Sequence, residues 1–240
     1  MATKSGPELP RHAEPEYPSG DGRPIGETYT HVQNILYSIH ELKNWFADNP
    51  RVYVSGNNLM YYVPGDKHTH VSPDVFVVQG IVKDKRRDYY LTWEEGAAPH
   101  LVIEVTSRST RKEDLKKKLA LYRDVLRVRE YFLFDPFGEY LDPKLQGHRL
   151  VQGQYLPIEP VAGRLPSDVL SLHLEAADED LRFWDPLTSE WLPNPHEAVA
   201  RAEQKAEADR RKAEAALKAK DAEIARLQRE LDAARRGGPP

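Results

Sequence analysis

The chain has 240 residues, of which 40% are hydrophobic, enough for one domain of ordinary size with extensions. It contains no cysteine, which excludes disulfides, thiolate zinc sites and cysteine nucleophiles. The net charge is -4, but residues 196–240 hold 11 Lys+Arg and 9 Asp+Glu against 23 and 29 for the rest, so the body is acidic and bulk charge does not recruit nucleic acid.

Residues 1–24 are rich in Pro, Gly and charge and read as a disordered leader without a signal-peptide core. No run of about 18 apolar residues follows, so a membrane partner is not expected and a cytoplasmic location is the default expectation. From His31, Val32, Ile35, Leu36, Ile39, Leu42 and Phe46 recur at helical spacing, with Thr28 or Thr30 as N-cap and Asn49-Pro50 as the stop. Three strands are predicted at Arg51–Ser55, Leu59–Val63 and Asp74–Val78, the first two as a hairpin.

Leu101–Val105 is an apolar run broken by one acid and reads as a central strand. Thr110 and Glu113 fit a capping box opening a helix with Leu115, Leu119, Tyr122 and Leu126 on one face, and Glu130–Phe134 is the next strand. Strand, helix and strand in that order predict a crossover and an α/β (α+β) fold with a mixed sheet. Short apolar pieces in 137–195 (Tyr140-Leu141, Arg149–Val151, Tyr155-Leu156, Leu181–Trp184) read as antiparallel strands decorating the core. Residues 25–195 are thus read as one domain. Residues 196–236 are read as a long helix, and 237–240 as a disordered tail. Leu217, Ile224 and Leu231 are seven apart, with Leu227 and Ala234 between the repeats, a seam for a coiled coil and a homo-oligomer, which Lys220 interrupts.

Asp74 follows Pro73 at a strand start, and Glu104 lies inside an apolar strand, where a carboxylate needs a cation or a proton. Two readings are open. The acids are structural, Glu104 paired with Arg108 or Arg111 and Asp74 a turn residue; or both hold Mg²⁺, which uses one or two carboxylates and serves phosphodiester hydrolysis.

The runs Ser72-Pro73-Asp74-Val75-Phe76-Val77-Val78, Leu101-Val102-Ile103-Glu104-Val105-Thr106-Ser107, Lys118-Leu119-Ala120-Leu121-Tyr122 and Glu130–Pro136 together resemble the Uma-two family of restriction endonucleases, within the PD-(D/E)XK nuclease superfamily. The resemblance spans roughly 17–195 and is strongest over 72–136. It implies a restriction-endonuclease-like core, Asp74 and Glu104 as metal-binding acids, and the Val105 carbonyl as a further ligand. Mg²⁺ is the implied cofactor, with Mn²⁺ as a substitute. The lysine that the superfamily places two residues after the acid is replaced by Thr106, and in similar chains it moves to the position of Lys118. Helical geometry agrees, since Lys118 lies about 60° from the apolar face while Lys117 points away; Lys112 borders the other side. Glu27 resembles a first-helix acid that joins such sites, or is simply a favourable charge near a helix start.

Arg108, Arg111, Lys112, Lys116, Lys117 and Lys118 form a basic strip beside Glu104, a candidate DNA contact. Arg86-Arg87 with Tyr89, Tyr90 and Trp93 is either a single-strand-binding surface or a packed flap. His68 and His70 lack a third ligand and read as a solvated loop. No nucleophile elbow, P-loop or dinucleotide fingerprint is present. The sequence thus predicts a metal-dependent endodeoxyribonuclease acting on DNA, with RNA left open, or alternatively an inactive nuclease-fold scaffold or nucleic-acid-binding protein assembled through its C-terminal helix.

Overall fold

The computed structural model describes residues 28–106 and 113–236. The leader, Glu27, Arg108, Thr110, Arg111, Lys112 and the last four residues lie outside this range. The chain divides into two compact units, one ending at Leu192 and one beginning at Pro193.

In the first unit, α1 (Tyr29–Trp45) starts at Thr28, whose hydroxyl accepts from the His31 amide at 3.3 Å. A six-stranded sheet follows the order β1-β4-β6-β7-β8-β9, built from Val52–Ser55, Val75–Gln79, Leu101–Val105, Glu130–Phe134, Leu145–Val151 and Gln154–Pro157 respectively. Strands β4 and β6 are antiparallel, whereas β6 and β7 are parallel, the crossover that the strand-helix-strand order predicts. The central strands are covered on both faces, and alternation sorts their side chains. Val75, Val77, Leu101, Ile103, Val105, Phe132 and Phe134 pack on the α1 side. Phe76, Val78, Val102, Tyr131 and Leu133 pack on the opposite side with Tyr122 and Leu126. Each fully buried aliphatic or Phe side chain contributes about 1.5–3 kcal/mol, so these strands form the rigid platform of the unit.

Several expectations are corrected. Strand β1 does not form a hairpin with the next strand; it pairs with β4, Ser55 opposite Phe76. The second predicted strand shortens to β2 (Met60–Tyr61), which joins β3 (His70–Val71) and β5 (Tyr90–Leu91) in a separate three-stranded sheet. The reason lies at Gly56-Asn57, where the chain turns against Pro73 instead of back on β1: the Asn57 amide donates to the Pro73 carbonyl at 2.8 Å. Residues 137–195 do more than decorate. Strands β8 and β9 complete the main sheet, and β10 to β13 (Leu165–Ser167, Leu172–Ala177, Asp180–Asp185, Glu190–Trp191) form a four-stranded sheet whose Leu172, Leu174, Leu181 and Phe183 enter the core on the α1 side. Tyr140-Leu141 is no strand; its amides donate to the Asp135 carboxylate at 2.9 and 3.1 Å.

Between β6 and β7 the described helix is wider than an α-helix, with π-type stretches at Glu113–Lys118 and Leu121–Val125. The Leu126 amide accordingly reaches back five residues to the Leu121 carbonyl at 3.0 Å. The Lys83–Glu95 segment, including the short helix α2 (Thr92–Glu95), is a packed flap. The Arg87 side chain is 2% exposed, its guanidinium 2.7 Å from Glu95 and 4.4 Å from the Tyr53 ring centroid, while Tyr89 and Trp93 pack with Leu59, Tyr61 and Leu91.

The second unit is α3 (Pro195–Arg236), a helix of 42 residues opened by a reciprocal cap. The Glu197 amide donates to Asn194 Oδ1 and the Asn194 amide to Glu197 Oε2, both at 2.9 Å, with Pro195 at the first helical position. Among the described residues no helix is long and apolar enough to cross a membrane.

Candidate active site

Antiparallel pairing of Val75 with Ile103 brings the next residues outward, Asp74 and Glu104, opposite one another at the sheet end. Directly opposed residues project to the same face, here the face covered by the π-type helix. Asp74 is fixed from two sides. Its Oδ2 accepts from the Val105 amide at 2.9 Å. Its carbonyl oxygen lies against Gly56, where a Cβ would stand 1.9 Å from it, so only glycine fits the turn after β1 without displacing Asp74.

Glu104 is fully buried. Lys118 Nζ donates to its Oε2 at 2.9 Å and Tyr122 Oη to its Oε1 at 2.6 Å; Oε2 also lies 3.4 Å from the Asp74 amide. A buried carboxylate is tolerable on these terms, since a charge-assisted bond and a short phenol bond replace its hydration. Burial, with the Glu104 charge second, pushes the Tyr122 phenol well above its ordinary pKa, so it remains a donor. The Lys118 side chain is 15% exposed and that of Asp74 13%, whereas Lys116 and Lys117 face solvent. The site therefore opens to water at the lysine and aspartate and is closed behind Glu104.

Thr106 occupies the position two after Glu104. It is 2% exposed, its amide donates to the Phe134 carbonyl at 2.7 Å, and its hydroxyl has no hydrogen-bond partner among the described residues. The lysine charge reaches Glu104 from the helix instead. Of the other sequence candidates, Val105 adjoins the acids, while Glu27, Arg108, Arg111 and Lys112 fall outside the described residues. His70 packs on Tyr61 with ring centroids 5.3 Å apart, and its loop is shaped by Asp66, which accepts from the His68 amide at 2.8 Å.

Two neighbours escaped the sequence reading. Tyr122 was read only as a core residue, although it lies four residues after Lys118, at a spacing that puts both on one helix face. His31, read as the start of α1, is 6% exposed and places Nε2 3.7 Å from Asp74 Oδ2. The signal for it is a polar row on the buried side of α1, His31, Asn34, Ser38 and Glu41, at helical spacing.

Among the described residues no three His, Asp or Glu side chains stand together as a ready-made metal cage. The donors nonetheless fit a hard divalent cation. Mg²⁺ uses one or two carboxylates and keeps its waters, and Asp74 is partly accessible to take part in such a shell.

A search among curated proteins returned no match. Among solved structures, a crystal structure described as a putative nuclease of the DUF820 group from Anabaena variabilis is similar, with 15% identity and a TM-score of 0.47 over 67% of this chain and 87% of that one. The family described as "Putative restriction endonuclease", Uma2, matches residues 8–179, and with most of its length covered the chain belongs to that family.

Proposed function

We propose that the protein is a metal-dependent endodeoxyribonuclease that hydrolyses DNA phosphodiester bonds at the Asp74–Glu104 end of the sheet. The observation that carries the reading is Lys118 Nζ at 2.9 Å from Glu104 Oε2, a cation brought to the acid although the usual position for it holds Thr106. Asp74 and Glu104 would hold Mg²⁺, or Mn²⁺ in its place, with the Val105 carbonyl adjoining. When bound, the ion supplies positive charge for the phosphate oxygens and lowers the pKa of a water nucleophile. Lys118, partly exposed, exchanges Glu104 for a phosphate oxygen and stabilises the charge that builds in the transition state. Tyr122 keeps Glu104 in place during that exchange, and the apolar wall of Phe76, Val78 and Leu133 keeps water from the back of the site.

The test is direct: purified protein nicks or cuts plasmid DNA when Mg²⁺ or Mn²⁺ is supplied and stops when EDTA removes it. Cleavage that persists in EDTA contradicts the reading, and cleavage of RNA in preference to DNA moves the substrate class. We further propose that α3 joins two copies through Leu217, Ile224, Leu227 and Leu231, which are all at least half exposed on the isolated helix.

A further inference from the structure

Resting on the nuclease reading above, we propose that a basic groove along the outer edge of β1 binds the phosphate backbone of the DNA substrate to one side of the cut. Strand β1 ends the six-stranded sheet, and among the described residues no strand pairs with its other edge. The segment from Lys83 to Arg87 runs beside that edge and is tied to it at both ends. The Lys83 amide donates to the Pro50 carbonyl at 3.1 Å, just before β1, and Asn58 Nδ2, just after it, donates to the Arg87 carbonyl at 3.2 Å. Between these ties lies a groove of about 580 Å³, lined by β1, by residues 83–87 and by the end of α1 at Lys43 and Phe46. It leads to the acids: Ser55 stands opposite Phe76, two residues from Asp74, and Gly56 abuts the Asp74 carbonyl.

The cationic wall is shaped from within. The buried Arg87 donates through Nη1 to the Lys85 carbonyl and through Nη2 to the Val82 carbonyl, both at 3.0 Å, which fixes the course of the segment. Lys83 Nζ donates to the Ala47 carbonyl at the end of α1, so the far end is fixed as well. Five cations line the groove (Lys43, Lys83, Lys85, Arg86 and Arg87) against one acid, Asp84. Glu95, shared by Lys85 and Arg87, and Asp88, paired with Arg86, still leave cations ahead, whereas acids outnumber cations over residues 1–195 as a whole. Such a local reversal of charge suits a ligand of dense negative charge. Lysines along an edge strand oppose the addition of another strand, so an extended peptide is a poor occupant, whereas a nucleic-acid backbone presents a phosphate at every step. Four strand residues cover on the order of 13 Å, about four nucleotide steps at roughly 3.4 Å each, so the groove takes the phosphates nearest the cut.

The experiment measures binding of a fluorescently labelled DNA duplex to the full-length protein by anisotropy, in EDTA so that cleavage does not intervene, across a range of salt concentrations. Lys43→Glu combined with Arg86→Glu reverses two exposed charges of the groove. This pair weakens binding roughly tenfold or more and lowers the slope of log affinity against log salt by about two. Arg127→Glu combined with Arg129→Glu makes the same change in net charge before β7, at the end of the sheet away from Glu104, and keeps binding within about twofold because salt screens so distant a charge. Circular dichroism reports the folding of both. Wild-type affinity in the folded groove variant, or equal weakening by both pairs, overturns the groove and leaves the nuclease reading standing. Duplex held through the groove but never cut when Mg²⁺ or Mn²⁺ is supplied overturns the nuclease reading and leaves the groove. A wild type that does not bind the duplex overturns both.

Discussion

Two buried glutamates show why one is read as a working acid and the other as mortar. Glu130 is 1% exposed and enclosed by protein donors: Arg149 at 2.9 and 3.0 Å, the Ser167 hydroxyl, and the Asp168 and Val169 amides at 2.9 and 3.3 Å. It fastens β7 to β8 and to the loop after β10. Glu104 is as deeply buried, but its partners include a partly exposed lysine and a phenol, and an acid stands opposite it. Removing the phenol alone should expose this difference. Tyr122→Phe leaves Glu104 Oε1 without that donor, so chemical denaturation should show a loss of about 1–3 kcal/mol, together with slower cleavage as the carboxylate loses its fixed position. Unchanged stability would mean that the Tyr122 bond does not support Glu104. Asp74 and Glu104 stood out as acids in apolar strands, with structural readings equally open, and it was the resemblance to a nuclease family that singled out Lys118 from the basic strip. His31 and Tyr122 were not visible as site residues because their types are common in cores and only the pairing of distant elements gives them a partner.

At the scale of elements, strands with strong apolar patterns were legible and their partners were not. Val75–Gln79, Leu101–Val105 and Glu130–Phe134 are apolar throughout because both faces are covered, and such runs announce themselves. The misread hairpin shows the limit. Gly56-Asn57-Asn58 carries turn chemistry, but whether that turn reverses onto its own strand or leans on Pro73 depends on contacts across the fold. The helix after β6 was legible by its apolar face, while its π-type widening follows from packing and has no local signature. Helix α3 is the reverse case, fully legible in pattern and capped by its own Asn194 and Glu197, yet its purpose rests on what covers its seam. Deleting residues 193–240 should leave a monomer of the shortened chain by light scattering where the full chain is a dimer; a dimer of the shortened chain would reject α3 as the dimerisation element.

For the whole molecule, the acidic balance of residues 1–195 means that on the proposed function the attraction to a nucleic-acid backbone comes from the neighbourhood of the site, where Lys116, Lys117 and Lys118 follow β6 on the helix. The fold supplies the rest: a sheet buried on both faces holds two acids at its end, α1 closes one side and the π-type helix the other. Family membership makes a nuclease the natural reading of that arrangement, and Lys118 brings a cation to Glu104 from the helix rather than from the strand. The measurement that bears most directly on this is the single-turnover cleavage rate of duplex DNA, with Mg²⁺ and again with Mn²⁺, for the wild type and three variants. Asp74→Asn and Glu104→Gln should reduce cleavage to background, and Lys118→Met should slow it about 100-fold or more, the usual effect of removing a transition-state charge partner. Cleavage at the wild-type rate by folded Glu104→Gln or Lys118→Met would contradict the account.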